Sequence, residues 1–102
     1  MTKLTRLFPL GAIALILGGC GGPSDFTPTP DMSAADIYGS ACQKCHGENG
    51  AGKFGFLFKI QGTDDSVEEM AAAIKDGGKI MPSFPNLSDE QRMMMAAYIK
   101  SL

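Results

Sequence analysis

Histidine occurs once in this 102-residue sequence, cysteine three times and tryptophan not at all. Three cysteines cannot build a framework of several disulfides. A single histidine rules out any site that needs two imidazoles from this chain. No run of lysine or arginine appears and the net charge is −2, so the electrostatic footprint of nucleic-acid binding is missing. No apolar run approaches the roughly 20 residues of a membrane-spanning helix. The longest, Leu7–Leu17, has 11 residues and is interrupted by Pro9 and Gly11. No stretch alternates apolar and polar residues long enough to argue for a sheet. A chain this short holds one core, and a domain of this size usually needs a staple besides apolar packing.

The first residues read as an address. Met1–Arg6 carries Lys3 and Arg6 without an acid, and the apolar run follows, giving the two leading parts of a secretory signal. Leu17-Gly18-Gly19-Cys20 resembles the lipobox of bacterial lipoproteins, which implies cleavage before Cys20 and acylation of its thiol. On that resemblance residues 1–19 are a signal peptide and Cys20 is the lipid attachment. The protein would be exported and anchored to a bacterial membrane, facing the periplasm or the outer side of the cytoplasmic membrane. Gly21–Asp31 contains Pro23, Pro28 and Pro30 among Gly, Ser and Thr, a composition suited to an extended tether. Residues 20–32 are therefore expected to link membrane and domain over as much as ~35 Å, and residues 33–102 to fold.

Cys42-Gln43-Lys44-Cys45-His46 is the chemical centre. Two thiols separated by two residues can each bond one vinyl-derived carbon of a haem, with the adjacent histidine under the iron as proximal ligand. Rival readings fit less well. A thioredoxin-like dithiol wants a preceding strand in a βαβ pattern, and none precedes Cys42. A tetrahedral zinc ion is poorly chelated by the adjacent Cys45 and His46. A Cys42–Cys45 disulfide would close a very short, strained loop and leave the histidine unexplained.

With His46 used, another residue type must cap the iron. Besides Met1 there are Met32, Met70, Met81, Met93, Met94 and Met95. Met70 and Met93–Met95 lie in helically periodic stretches, where methionine is most often a core filler, and Met32 lies in the expected tether. Met81 follows Gly77-Gly78-Lys79-Ile80 and precedes Pro82, which denies it a helix and favours a loop able to aim sulfur at iron. The metal ligands expected are therefore His46 and Met81, in a covalent haem c held by Cys42 and Cys45, one per chain. A soft thioether favours ferrous iron and a raised potential.

Helix signals surround this centre. Ser33 caps a first helix running toward Ala41, with Asp36 three residues on. Ser66-Val67-Glu68-Glu69 reads as a capping box for a second helix, ended by Gly77, with Val67, Met70, Ala71 and Ile74 on one face. Ser88-Asp89-Glu90-Gln91 opens a last helix whose apolar side is expected to be Met94, Met95, Tyr98, Ile99 and Leu102. The fold class is all-α, about three helices wrapped around one haem.

From Ser33 to Leu102 these residues resemble the class I, mono-haem cytochrome c family. Ala34 and Tyr38 resemble the family's small and aromatic pair on the first helix, which crosses a last-helix pair matched by Met95 and Tyr98. Gly47, Gly50 and Gly52 match the glycines after the haem motif, Met81-Pro82 matches the distal loop, and Leu87-Ser88 precedes the last helix. One departure stands out. The family usually carries a proline some ten residues after the haem histidine, whose carbonyl accepts the imidazole proton; here the stretch is Phe54-Gly55-Phe56-Leu57-Phe58, so another backbone carbonyl there must serve. The three phenylalanines are expected to pack the haem pocket.

The resemblance implies a single-electron carrier in a respiratory or related chain, not an enzyme. Its partners would be redox proteins such as a membrane oxidase, reductase or photosynthetic complex, with no small-molecule substrate and no nucleic acid. Lys44 and Lys79 flank the expected haem edge and are placed to steer an acidic partner patch.

Overall fold

The computed structural model describes residues 22–102. Helix α1 spans Ala34–Ala41, α2 Gln43–His46, α3 Val67–Asp76 and α4 Asp89–Lys100, with a 3-10 turn at Glu48–Gly50. Among the described residues there is no strand, only two isolated bridges, Pro23 with Ser83 and Lys53 with Leu57. The all-α architecture expected from the sequence is the one found. The expected signal peptide, residues 1–19, and Cys20 lie outside the described residues.

Three serines start the three long helices by one device. The hydroxyl oxygens of Ser33, Ser66 and Ser88 accept from the backbone N–H of Asp36, Glu69 and Gln91, each at 3.1 Å. These bonds satisfy donors that a helix start would otherwise leave orphaned. Only at Ser88 is the box reciprocal, since Gln91 Oε1 also accepts from Ser88 N–H at 2.9 Å. At Ser66 the expected box is half made: its hydroxyl caps the helix, and no return bond from Glu69 accompanies it.

The core lies where α1 and α3 pack on α4. Ile37 and Ala96 are 0% exposed and Met95 1%, with Met70, Ala71, Ile74, Phe84, Leu87 and Ile99 around them. Tyr38 and Tyr98 fix the α1–α4 crossing, with ring centroids 5.7 Å apart and planes tilted by 54°. The face of α4 differs from the expected one. Met94 is exposed, and the position it was expected to hold is filled by Ala96 and by Arg92 one turn earlier. Arg92 reaches Asp89 Oδ1 at 2.6 Å and donates to Phe84 O at 3.4 Å, so its charge is partnered while its stem packs.

The segment preceding α1 does not run free. Ser24 N–H donates to Ser83 O at 2.8 Å, Asn86 Nδ2 reaches Asp25 O at 3.5 Å, and Phe26 and Met32 pack against the core. Proline and polar composition suggested a tether, yet two apolar side chains and one backbone bond dock residues 23–32 on the domain. Composition alone carries no information about such long-range partners.

Candidate haem site

The Cys–His motif sits on its own turn of helix. Cys42 ends α1, its N–H donating to Tyr38 O at 2.9 Å, and its carbonyl accepts from both Cys45 N–H at 3.3 Å and His46 N–H at 3.0 Å. Cys42, Cys45 and His46 therefore stand at i, i+3 and i+4, which brings them to one helical face. Gly47, at φ 77°, then reverses the chain, and a Cβ there would overlap the Gly52 carbonyl, so only glycine fits. Tyr38 locks this corner by donating from its hydroxyl to Gly47 O at 2.7 Å.

Cys42 and Cys45 are not joined in a disulfide. Burial, with a smaller contribution from Cys45, pushes the Cys42 thiol up to about 11. That is the reverse of a reactive dithiol, whose attacking cysteine is lowered to become thiolate. Among the described residues no group of three or more His, Cys, Asp or Glu converges to hold a metal ion, so nothing there supports a zinc site.

His46 Nδ1 lies 2.6 Å from Phe58 O. A carbonyl only accepts, so Nδ1 carries the hydrogen and donates, leaving Nε2 with its lone pair free for a metal. The absent proline is thereby replaced by a backbone acceptor within the Phe54–Phe58 stretch. Gly52 N–H donates to His46 O at 2.6 Å, and Ile60 and Gln61 N–H donate to Gly50 O at 3.0 and 2.9 Å, holding the loop root under the imidazole.

Opposite, α3 ends at Gly77, where φ is 67° and a Cβ would come within 2.6 Å of Ser83 N. The loop that follows is pinned by Gly78 N–H to Met81 O at 2.8 Å, Phe84 N–H to Ile74 O at 2.9 Å, and the Ser24–Ser83 bond. Met81, half-buried, packs against the core.

Between these walls lies a cavity of about 530 Å³, lined by Ala41, Cys42, Lys44, Cys45 and His46 on one side and by Ile80, Met81, Pro82 and Phe84 from the distal loop, with Phe58. A second, smaller space of about 100 Å³ shares Cys42, His46 and Met81 and continues between Met70, Ile74 and Ile99. The larger volume falls within the ~300–1,000 Å³ typical of cofactor sites, and its lining is apolar except at the Cys–His motif and Lys44. A flat, apolar macrocycle bearing iron fits this donor set: two thiols, one imidazole nitrogen and one thioether line the same space.

One expectation about the surroundings is corrected. Of the three phenylalanines only Phe58 lines the cavity, while Phe54 is 91% and Phe56 78% exposed. The Lys53–Leu57 bridge closes a tight loop that turns both outward. Lys44 lines the cavity, and Lys79 is exposed on the distal loop beside the lining residue Ile80. Sequence reasoning passed over Ala41, Ile80 and Phe84 as lining residues and Arg92 as a brace. The periodicity of Arg92 with Ser88, Met95 and Ile99 was the available signal for the last.

Comparison with known proteins agrees with this geometry. Residues 29–99 match the family described as Cytochrome C oxidase, cbb3-type, subunit III. The chain is also 38% identical over 65 residues to Cytochrome c-550 of Bacillus subtilis (strain 168), a match covering 62% of this chain and 54% of that protein. The chain thus spans about half the length of the curated relative it matches. With a family match across most of its length and a Cys-x-x-Cys-His turn facing a methionine loop, the chain belongs to the mono-haem cytochrome c family of electron carriers.

Proposed function

We propose that this protein shuttles single electrons between redox partner proteins at the outer face of a bacterial membrane, using one haem c. In this reading Cys42 and Cys45 would hold the haem through thioether bonds, and His46 Nε2 and the Met81 sulfur would bind its iron. Bound haem supplies a one-electron ferric–ferrous couple, and the protein's part is to hold, orient and insulate it. The observation that carries the reading is the convergence of Cys42, Cys45, His46 and Met81 on one apolar cavity. The Phe58 carbonyl fixes the imidazole's tautomer and raises its basicity, while the apolar lining would keep water from a bound iron. The site offers no acid–base set for chemistry on a substrate, which favours a carrier over an enzyme.

Membrane attachment belongs to the same reading, through lipid on Cys20 after removal of residues 1–19. Because Ser24 is bonded to Ser83, a lipid on Cys20 would be four residues from a bonded point of the domain, a distance of at most ~14 Å rather than ~35 Å. The anchored domain would ride close to the bilayer and meet membrane-bound partners laterally.

Optical spectroscopy of Met81→Ala tests the ligation. The wild-type ferric protein should show the weak long-wavelength band of methionine sulfur on iron, and the variant should lose it and bind carbon monoxide rapidly when reduced. Absence of the band from wild type, or its survival in the variant, would refute Met81 as ligand.

A further inference from the structure

In the loop from Lys53 to Lys59, Phe58 lines the haem cavity, but nothing in the fold or the pocket accounts for the side chains of Phe54 and Phe56. Lys53 N–H donates to Leu57 O at 2.8 Å and Leu57 N–H to Lys53 O at 2.9 Å, closing a five-residue tongue on itself. Phe54 and Phe56 project from it, 91% and 78% exposed, with Leu57 and Phe58 partly exposed behind them. The backbone makes this stranger. Phe54 and Phe58 adopt positive φ, 52° and 59°, a region where a bulky side chain is strained and glycine or asparagine costs less. At Phe54 only the two Lys53–Leu57 backbone bonds hold that conformation, and no side-chain packing offsets its cost.

Charge indicates what partner such a tip would meet. From residue 22 onward there are seven Lys and Arg against eleven Asp and Glu, 7 − 11 = −4. Yet from Ala51 to Thr63 there is no acid, and Lys53 and Lys59 frame the aromatic tip. An acidic domain is on the whole repelled by an anionic surface, and an acid-free spot framed by two lysines relieves that repulsion locally. Protein–protein interface cores concentrate aromatics with arginine and are depleted in lysine, whereas aromatic tips with flanking lysines suit the headgroup boundary of a bilayer. There the rings sit at the acyl edge and the ammonium groups extend to phosphate.

We infer that this loop is a membrane-contact element: Phe54 and Phe56 dip into the interface of an anionic phospholipid bilayer while Lys53 and Lys59 pair with its headgroups. The inference does not depend on acylation of Cys20 or on Met81 ligation. It adds an orientation, because the loop's root supplies the Phe58 carbonyl bonded to His46 and the same residue lines the haem cavity. Contact through Phe54 sets which face of the site looks at the bilayer.

The test places the photoreactive amino acid p-benzoylphenylalanine at residue 54 in the full-length holo-protein. Residue 75, exposed on α3, serves as the control position. Protein in vesicles of phosphatidylglycerol and phosphatidylethanolamine, and in native membranes, is irradiated and its adducts weighed by mass spectrometry. Phospholipid adducts should form at residue 54 and not at residue 75. Their yield should drop about tenfold or more in pure phosphatidylcholine or in Lys53→Gln with Lys59→Gln. Adducts at residue 54 joined to a polypeptide, whether a second copy or a redox partner, would overturn the inference. So would equal yields at the two positions, or a lipid yield indifferent to headgroup charge.

Discussion

Tyr38→Phe tests whether the corner behind the haem histidine is held by one hydroxyl. The substitution keeps the ring, and with it the packing on Tyr98, and deletes only the 2.7 Å bond to Gly47 O. Gly47 is buried, so the carbonyl cannot turn to bulk water, but it still accepts from Gly50 N–H at 3.2 Å. One of two bonds is lost, which puts the effect at the lower end of the range for a buried polar group, about 1–1.5 kcal/mol. For a domain of this size that lowers the melting temperature by about 5–10 °C. Thermal unfolding of the holo-protein followed by far-ultraviolet circular dichroism reads it out. pH supplies a second signature. Burial, the largest cause, raises the Tyr38 hydroxyl above its ordinary 10.0. Its folded-state value being raised, the stabilisation is complete below pH 10 and is lost as pH rises through the raised value. The phenylalanine variant has no such phase, so the two melting curves should converge in alkali. A shift under about 2 °C near neutrality, or a gap that widens above pH 10, would refute the reasoning.

Ser24→Pro removes the N–H that bonds Ser83 O and should loosen the Met81 loop, seen as a weaker methionine–iron band on warming with the melting temperature of the helices little changed. Ser88→Ala breaks the one reciprocal capping box and should cost about 1–2 kcal/mol by denaturant unfolding, whereas Ser66→Ala, losing a single bond, should cost about 1 kcal/mol or less. Cys20→Ser should release holo-protein from washed membranes or block its processing; an unmodified thiol at residue 20 in the intact mass of the native protein would contradict acylation.

The helices were legible because their signals are local. Ser33, Ser66 and Ser88 each announce a start within four residues, and Gly77 announces a stop. α2 was not, since four residues carry no period, yet its turn is what brings Cys42, Cys45 and His46 to one face. In Met93-Met94-Met95 the run itself erases the contrast that marks a buried face, and packing chose Met95 and Ala96 with the stem of Arg92. The need for a carbonyl near Phe54–Phe58 could be stated from the missing proline, but which carbonyl depends on two positive-φ residues that no propensity would assign to phenylalanine. The docking of residues 23–32 rests on the bond from Ser24 to Ser83, 83 − 24 = 59 residues away along the chain, and composition is blind to such pairs.

These long-range contacts make the two sides of the site unequal. The distal loop is tied three ways, by Gly78 to Met81, Ile74 to Phe84 and Ser24 to Ser83, all through backbone atoms inside or against the domain. Among the described residues the imidazole has one hydrogen-bond partner, the Phe58 carbonyl, at the end of a strained loop whose tip is almost fully exposed. A force on Phe54 or Phe56 therefore acts four or fewer residues from the group that sets imidazole orientation and basicity, while the same surface has no comparable lever on Met81. If the loop bears on a bilayer, contact should alter the proximal hydrogen bond and shift the reduction potential, because basicity of the axial imidazole is one of the levers on iron. Voltammetry of the holo-protein with and without anionic vesicles should thus show a displaced midpoint, and Phe54→Ser with Phe56→Ser should abolish the displacement while leaving the vesicle-free potential in place. A midpoint identical with and without vesicles would mean that the loop touches the membrane without transmitting to the iron, or does not touch it, and the cross-linking outcome separates those two.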